Sequence, residues 1–337
     1  MLNNDLSKTI ISEKPPLVIL TGPTAAGKTD LSINLAKKIN GEIISADSAQ
    51  VYKGLDIGSA KITNEEMQGV THHLIDVFEP DYPFDVTVFK SLAKEKAAEI
   101  LKRGHIPIVV GGTGFYIQAL LYDIDFDLDT PSEDFDKMYR QKLELIASEE
   151  NGPKRLHDEL KSVDPESAKS IHMNNVRKVI RALEFYHLYN KPISEHNKEQ
   201  HKKESAYNSA YFVLNMDREV LYDRINKRVD IMKQNGLIEE VKNLICKGYN
   251  HEYTSMQAIG YKELLEVFER FGGDAKDEYL NDAFDKIKQN TRHFAKRQLT
   301  WFRREKDTIW LDKSQMSEEE ILETMLNILK EREIIKQ

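Results

Sequence analysis

The sequence predicts an α/β protein, a parallel sheet flanked by helices and carrying an all-helical insertion, on three observations. Short apolar runs alternate with helix-patterned stretches over roughly the first 120 residues. Three of those runs stop at polar loops rich in glycine or serine. Strand signals then vanish between about Asp123 and Asn208 and return at Ala210.

Leu17 to Leu20 form the first apolar run, closed by Thr21-Gly22, and Leu31, Leu35 and Ile39 repeat at helical spacing after it. Ile43 and Ile44 precede Ser45-Ala46-Asp47-Ser48. Ala93 to Leu101 reads as a helix, and Ile106 to Val110 then run straight into Gly111-Gly112-Thr113-Gly114. In a parallel, doubly wound sheet ligands sit beyond the carboxyl ends of the strands, where all three polar loops would lie. The segments Phe135 to Ile146 and Val176 to Tyr189 are charged and helix-patterned. Ala210 to Leu214 returns the chain to the sheet, Asp217 can cap a long helix containing Leu221, Ile225 and Val229, and Thr308 to Leu311 is the last strand candidate. The expected division is a tail over 1–14, a core over 15–124 and 205–337, and a helical insertion over 125–204.

With 337 residues, 40% hydrophobic and 31% charged, the chain can bury a large core and has no disordered composition. No apolar run is long enough to span a bilayer. The first 14 residues carry Asp5 and Glu13 and no long apolar centre, unlike a signal or transit peptide, so the cytoplasm is expected. The single cysteine, Cys246, excludes an intramolecular disulfide and a cysteine-clustered zinc site. A formal charge of -8 argues against indiscriminate coating of nucleic acid but leaves open where the basic residues cluster.

The segment from Gly22 to Thr29, GPTAAGKT, is a G-x-x-x-x-G-K-T phosphate loop between a strand and a helix, which makes the expected fold P-loop NTPase-like. Its glycines let backbone N–H groups close on phosphate oxygens. Lys28 adds a charge, the next helix its N-terminal dipole, and Thr29 a hydroxyl for Mg²⁺. ATP chemistry and the departure of a diphosphate need the same cradle, so the loop alone does not choose the reaction.

Asp47 can be a general base, an Mg²⁺ ligand at one remove, or a helix N-cap. The Gly111 to Gly114 stretch is either a tight turn or a loop presenting Thr113. Arg218, Arg224 and Arg228 fall on one predicted helix, and Arg224 and Arg228 share a face that can clamp an anion or simply be solvated. His72-His73 with Asp76 resembles a metal site only superficially, because neighbours on a strand point to opposite faces. Lys286 to Arg304 holds Lys286, Lys288, Arg292, Lys296, Arg297, Arg303 and Arg304 and no acid. As a helix it would pack through Ile287, Phe294 and Trp301 and present Lys288, Arg292, Lys296 and Arg303 to phosphates. Arg177, Lys178 and Arg181 form a weaker cluster in the insertion.

These stretches together resemble the tRNA dimethylallyltransferases, also called tRNA isopentenyltransferases. The matching pieces are GPTAAGKT (22–29), ISADSAQVYKGLDIGSAK (44–61), HHLID (72–76), VVGGTGFY (109–116), IRALE (180–184), the region from Met216 to Arg228, QAIGY (257–261) and KRQLTWFR (296–303). The resemblance implies transfer of a dimethylallyl group from dimethylallyl diphosphate to N6 of the adenosine 3′ of the anticodon, with Mg²⁺ and release of diphosphate. The substrates would be tRNAs reading codons that begin with U. By the same resemblance Gly22, Thr24, Ala25, Ala26, Gly27, Lys28 and Thr29 hold the diphosphate with Arg224, preferred over Arg228, and Mg²⁺ sits near Thr29. Asp47 matches the general base and Thr113 assists it. The tRNA contacts implied are Asp47, Ser48, Ala49, Gln50, Thr113, Arg177, Lys178, Arg181, Gln257, Gly260, Lys296, Arg297, Gln298, Trp301 and Arg303, with the insertion gripping the anticodon stem-loop. A monomer of the bacterial type is expected, since the cysteines of the eukaryotic zinc finger are absent. The competing readings are a P-loop metabolite kinase, an adenylate isopentenyltransferase and a nucleotide switch.

Overall fold

In the computed structural model, which describes residues 14–124, 133–273 and 275–336, the apolar residues Leu17 to Leu20 have no exposed surface at all. They form the centre of β1 (Pro16–Thr21), and such a run is stable only where both sheet faces are covered. The expected tail over 1–14 lies, except for Lys14, outside the described residues. The chain divides into two compact units, residues 1–121 with 205–337, and residues 122–204.

In the first unit α1 (Lys28–Ile39) follows β1, then β2 (Gly41–Ala46), α2 (Asn64–Met67), the short β3 (His72–His73), α3 (Val86–Lys102), β4 (Ile106–Gly111) and α4 (Gly114–Leu121). After the insertion come β5 (Asn208–Asn215), α10 (Arg218–Gln234), α11 (Leu237–Cys246), α12 (Tyr261–Phe271), α13 (Asp277–Phe302), β6 (Thr308–Asp312) and α14 (Glu318–Glu331). All six strands are parallel, in the order β3-β2-β4-β1-β5-β6. The chain leaves β1 toward β2 on one side and later adds β5 on the other, which opens a crevice at the carboxyl end of β1.

Register decides what meets there. Thr21 of β1 and Ala46 of β2 both pair with Gly111 of β4, so the three strands end level and their polar loops emerge side by side. The buried Thr21 hydroxyl donates to the Gly111 carbonyl at 2.7 Å and fixes that edge. Asp217 caps α10 as expected, its carboxylate accepting from the amides of Glu219 and Val220, and Leu221, Ile225 and Val229 are buried beneath.

α13 departs from the expected packing. Its buried line runs Leu280, Phe284, Ile287, Ala295, Gln298 and Phe302, while Phe294 and Trp301 are only half-buried. A strict seven-residue spacing drifts by about 20° per heptad around a straight helix, so from Ile287 to Trp301 the line slides toward the edge of the buried stripe and its last two members are only partly covered. The basic stripe is also divided. Lys288 pairs with Asp230 at 2.6 Å and Arg292 donates to Asn226 at 2.6 Å, both on α10, whereas Lys296, Arg297 and Arg303 remain exposed.

The second unit contains α5 (Glu133–Ser148), α6 (Gly152–Val163), α7 (Pro165–Ser170), α8 (Val176–Tyr189) and α9 (Ile193–Lys202) around Leu143, Leu156, Leu160, Val179, Ile180 and Leu183. Asp164 is a buried polar knot, accepting from the amide and hydroxyl of both Ser167 and Ser194. Burial alone would raise its carboxyl, but these hydrogen bonds win and hold it below the usual range. On α8, Arg177, Lys178 and Arg181 are exposed beside buried Val179, Ile180, Ala182 and Leu183, the pattern of a helix with one packed face. No helix of the described residues is long and apolar enough to cross a membrane.

Candidate active site

The phosphate loop takes its shape from two glycines. Gly22 lies at φ +148, where an added Cβ would come within 2.6 Å of the Leu214 carbonyl oxygen, and Gly27 opens α1 from the left-handed region at φ +83. Ala25 also has a positive φ of 65. The amides of Gly27, Lys28 and Thr29 find no acceptor among the described residues, as expected of a free helix N-terminus. The Thr29 hydroxyl is likewise without a partner among them, and Thr29 is exposed.

Cations gather on this loop. Lys28 donates from Nζ to the carbonyls of Gly22 and Pro23 at 3.0 and 2.9 Å. Arg224 Nε donates to the Ala25 carbonyl at 2.9 Å, and Arg228 reaches the Thr24 hydroxyl at 3.4 Å. Both arginines of the i, i+4 pair therefore meet the loop, while Arg218 is exposed against Tyr222. Burial and the neighbouring Arg228 push the Lys28 ammonium down to about 8, against an opposing pull from Asp47. Arg228 is lowered from its ordinary value by burial and by Arg224, with Asp47 and Glu66 opposing. So much unbalanced positive charge in a desolvated crevice favours an anionic ligand.

Asp47 stands at the end of β2, half-buried. Its Oδ1 accepts from the amides of Ala49 at 2.9 Å and Gln50 at 3.4 Å, an Asx turn that orients the carboxylate and leaves Oδ2 for a ligand. No helix follows Asp47 directly, so the capping role open in the sequence is replaced by this turn, which uses one oxygen and leaves the reactive role to the other. Thr113 is half-buried on the neighbouring loop, its amide held by the Ala46 carbonyl at 3.3 Å and its hydroxyl without a partner among the described residues.

One buried side chain braces the two glycine-bearing loops. Gln298 of α13, 5% exposed, accepts from the Thr24 amide at 2.9 Å through Oε1 and donates from Nε2 to the Gly112 carbonyl at 2.9 Å. A Cβ on Gly112 would lie 2.0 Å from that Nε2, and one on Gly114 would lie 2.3 Å from the Trp301 ring. Gly112 and Gly114 are therefore demanded by α13, and Gly111 by β2, where a Cβ would lie 2.2 Å from the Ala46 carbonyl oxygen. Grouped with the tRNA contacts on sequence grounds, Gln298 is placed instead as an internal strut with both ends of its amide engaged. Next to Trp301, Glu305 accepts from Gln118 Nε2 at 3.3 Å, and burial pushes its carboxyl up to about 7 against a smaller pull from Trp301.

The other motifs shape a supporting loop. Glu240 accepts the amides of Asp56, Ile57 and Gly58 at 3.1, 2.8 and 3.1 Å and the Tyr261 hydroxyl at 2.6 Å. Burial, then Glu240, drives the Tyr261 phenol well above its ordinary value. Lys61, its side chain 5% exposed, ties the Tyr52 carbonyl to Asp56 and Asp76. Gly260 is buried, its φ of +102 letting its amide turn back to Glu263 at 2.8 Å, and it offers no surface to a macromolecule. Gln257 is exposed but donates to the His251 carbonyl, Ser48 is exposed, and Gln50 donates to the carbonyls of Ser59 and Ala60. His72 bonds the Val70 carbonyl and His73 bonds Glu42, and no cluster of three metal-ligating side chains exists among the described residues. Glu240, Lys61 and the strut role of Gln298 were not anticipated, since nothing local in the sequence names their partners.

Comparison with known proteins agrees with this geometry. A family model described as IPP transferase matches residues 50–305, and one described as isopentenyl transferase matches residues 15–78. A tRNA dimethylallyltransferase of Lachnoclostridium phytofermentans is 56% identical, covering 95% of this chain and 99% of its own. That of Bacillus subtilis is 51% identical, covering 89% and 91%. Among solved structures, the Staphylococcus epidermidis tRNA delta(2)-isopentenylpyrophosphate transferase superimposes with a TM-score of 0.67 at 46% identity, covering 95% of this chain and all of its own. A eukaryotic dimethylallyltransferase acting on tRNA gives 0.74 at 29% identity, covering 96% and 81%.

Proposed function

The chain belongs to the tRNA dimethylallyltransferase family, and on that premise we propose that it transfers the dimethylallyl group of dimethylallyl diphosphate to N6 of the adenosine immediately 3′ of the anticodon, in tRNAs reading codons that begin with U. The observation that carries the reading is the convergence on one crevice of Lys28, Arg224 and Arg228, the Asp47 carboxylate and the open Thr113 hydroxyl. The cations suit a leaving diphosphate and the carboxylate a departing proton.

In this reading N6 attacks C1 of the donor, the C1–O bond breaks, and its electron pair leaves on the diphosphate. Lys28, Arg224, Arg228 and the free amides of Gly27, Lys28 and Thr29 stabilise that growing charge. A carboxylate cannot ionise a neutral aromatic amine in advance. Asp47 therefore orients N6 and takes its proton on Oδ2 once the new C–N bond has made the nitrogen acidic. Thr113 positions the same groups.

The residues present fit Mg²⁺. The exposed Thr29 hydroxyl, without a partner among the described residues, stands at the loop, and Mg²⁺ binds readily through one protein oxygen, substrate phosphates and water. When bound there it would neutralise charge on the leaving diphosphate.

The acceptor base must leave its stack, which costs a few kcal/mol. Exposed Lys296 and Arg297 on α13, Arg303 at its C-terminal cap, and Arg177, Lys178 and Arg181 on α8 are suited to phosphates of the anticodon stem-loop and offset that term. Ser48 and Gln257 are exposed enough to add polar contacts. The same reading makes the protein a cytoplasmic monomer.

The test supplies radiolabelled dimethylallyl diphosphate with unmodified tRNA, with AMP, and, in parallel, ATP with candidate metabolites. Label is expected in tRNA alone. Label in AMP without tRNA, or phosphoryl transfer from ATP, would overturn the reading.

A further inference from the structure

A fourth cation stands over the phosphate loop and no motif points to it. A methyl group built on Gly27 would lie 2.9 Å from Nζ of Lys313 and 3.5 Å from Nη2 of Arg224, so the two cationic tips converge on the first turn of α1. We propose that Lys313, whose Nζ bonds Glu318, is a further ligand of the donor's diphosphate and passes from Glu318 to a diphosphate oxygen on binding; this deepens the function proposed above and rests on it.

Three features support the assignment. Lys313 follows β6 directly, and its amide donates to the Asn215 carbonyl at 2.9 Å, anchoring it to the end of β5. The next residue, Ser314, accepts from the Asp217 amide at 2.6 Å, which ties this turn to the N-terminus of α10, the helix carrying Arg224 and Arg228. The three cations are therefore set by one rigid corner.

The burial of the ion pair is also asymmetric. Lys313 bonds Glu318 at 2.5 Å, yet the lysine side chain is 13% exposed and the glutamate 52%. The half-exposed glutamate can return to water when the lysine leaves it, and the enclosed lysine, passing to another anion, is not left unpaired. Glu318 moreover lies in the first turn of α14, where a carboxylate is stabilised by the helix dipole without a lysine. A pair whose only purpose was to cap α14 would not need its lysine enclosed above Gly27.

The test is calorimetric titration of the full-length protein with inorganic diphosphate in Mg²⁺ buffer, beside steady-state kinetics. Lys313→Met is expected to weaken diphosphate binding about tenfold and to raise KM for dimethylallyl diphosphate by a similar factor, with KM for tRNA and Tm unchanged. Lys313→Arg should restore most of the affinity. Glu318→Gln should bind diphosphate as well as the parent or better. Wild-type affinity in Lys313→Met would overturn the assignment, and so would a loss in Glu318→Gln equal to that in Lys313→Met, since the pair would then be supporting the loop structurally. A parent protein that binds no diphosphate takes down the proposed function as well, whereas an unaffected Lys313→Met in a parent that binds takes down Lys313 alone.

Discussion

Two clusters of backbone N–H groups in the core unit are built alike and finished differently. At Asp56, Ile57 and Gly58, three converging amides are closed by the Glu240 carboxylate, whose Oε1 also accepts the Tyr261 hydroxyl. At the start of α1, the amides of Gly27, Lys28 and Thr29 have no acceptor among the described residues, and cations surround them in place of a carboxylate. A cluster that closes on the protein's own anion is finished architecture. One that gathers positive charge and stays open stores free energy for a ligand. Motif identity does not separate the two, since both lie in stretches shared with the tRNA dimethylallyltransferases.

The comparison can be broken most directly at the open cluster. Asp47→Ala is expected to lower kcat about 10³-fold while leaving tRNA affinity nearly unaltered. A comparable loss of tRNA binding in a filter assay would remove its purely chemical role. At the closed cluster the balance reverses. Glu240→Ala strands three amides and should cost about 2 kcal/mol of stability, read as a fall of several degrees in Tm, with diphosphate affinity kept within a few-fold. If diphosphate binding collapsed while Tm held, the two clusters would not be separate in purpose.

A smaller effect sharpens the electrostatics of the open cluster. Lys28 titrates near 8, against an ordinary 10.5, because its charged form is buried beside Arg228. The folded, ligand-free protein therefore binds fewer protons than the unfolded chain between these values, and the Lys28 contribution to stability rises with pH across that window. Diphosphate restores the charge, so binding takes up a proton at alkaline pH. The affinity of the parent relative to Lys28→Arg, whose charge persists, should fall about tenfold between pH 7 and 9. A flat ratio would show that Lys28 keeps an ordinary pKa. The smallest effect is expected on the exposed face of α13 and at its C-terminal cap, where Lys296→Ala and Arg303→Ala should each weaken tRNA binding by about 1 kcal/mol and reduce the slope of log affinity against log salt. An unchanged slope would exclude phosphate contacts there.

Legibility followed the range of the interaction concerned. The strands around Leu17 to Leu20, Ile43 and Ile44, and Ile106 to Val110 were readable because a parallel strand buried on both faces must be apolar along its length. The Asp217 cap was readable because a cap and its helix are contiguous. The α13 stripe was readable only in part: composition announced the basic residues, but Asp230 and Asn226 on another helix decided that Lys288 and Arg292 would be spent on packing. Gln298 shows the limit most plainly, since the nitrogen and oxygen it bonds belong to residues 274 and 186 positions away.

By itself, the sequence determined that a phosphate-cradling loop opens a helix after a buried strand, that an aspartate and a threonine end two more strands, and that a helical segment interrupts the sheet. These follow from local conformational preference and hydrophobic period. Only the tertiary structure decided that Thr21, Ala46 and Gly111 end level, that both Arg224 and Arg228 reach the loop, and that Lys313 joins them while Glu240 closes a second cluster. Those outcomes depend on strand register and on which distant side chain fills a given space. Neither quantity is encoded in any single stretch of chain.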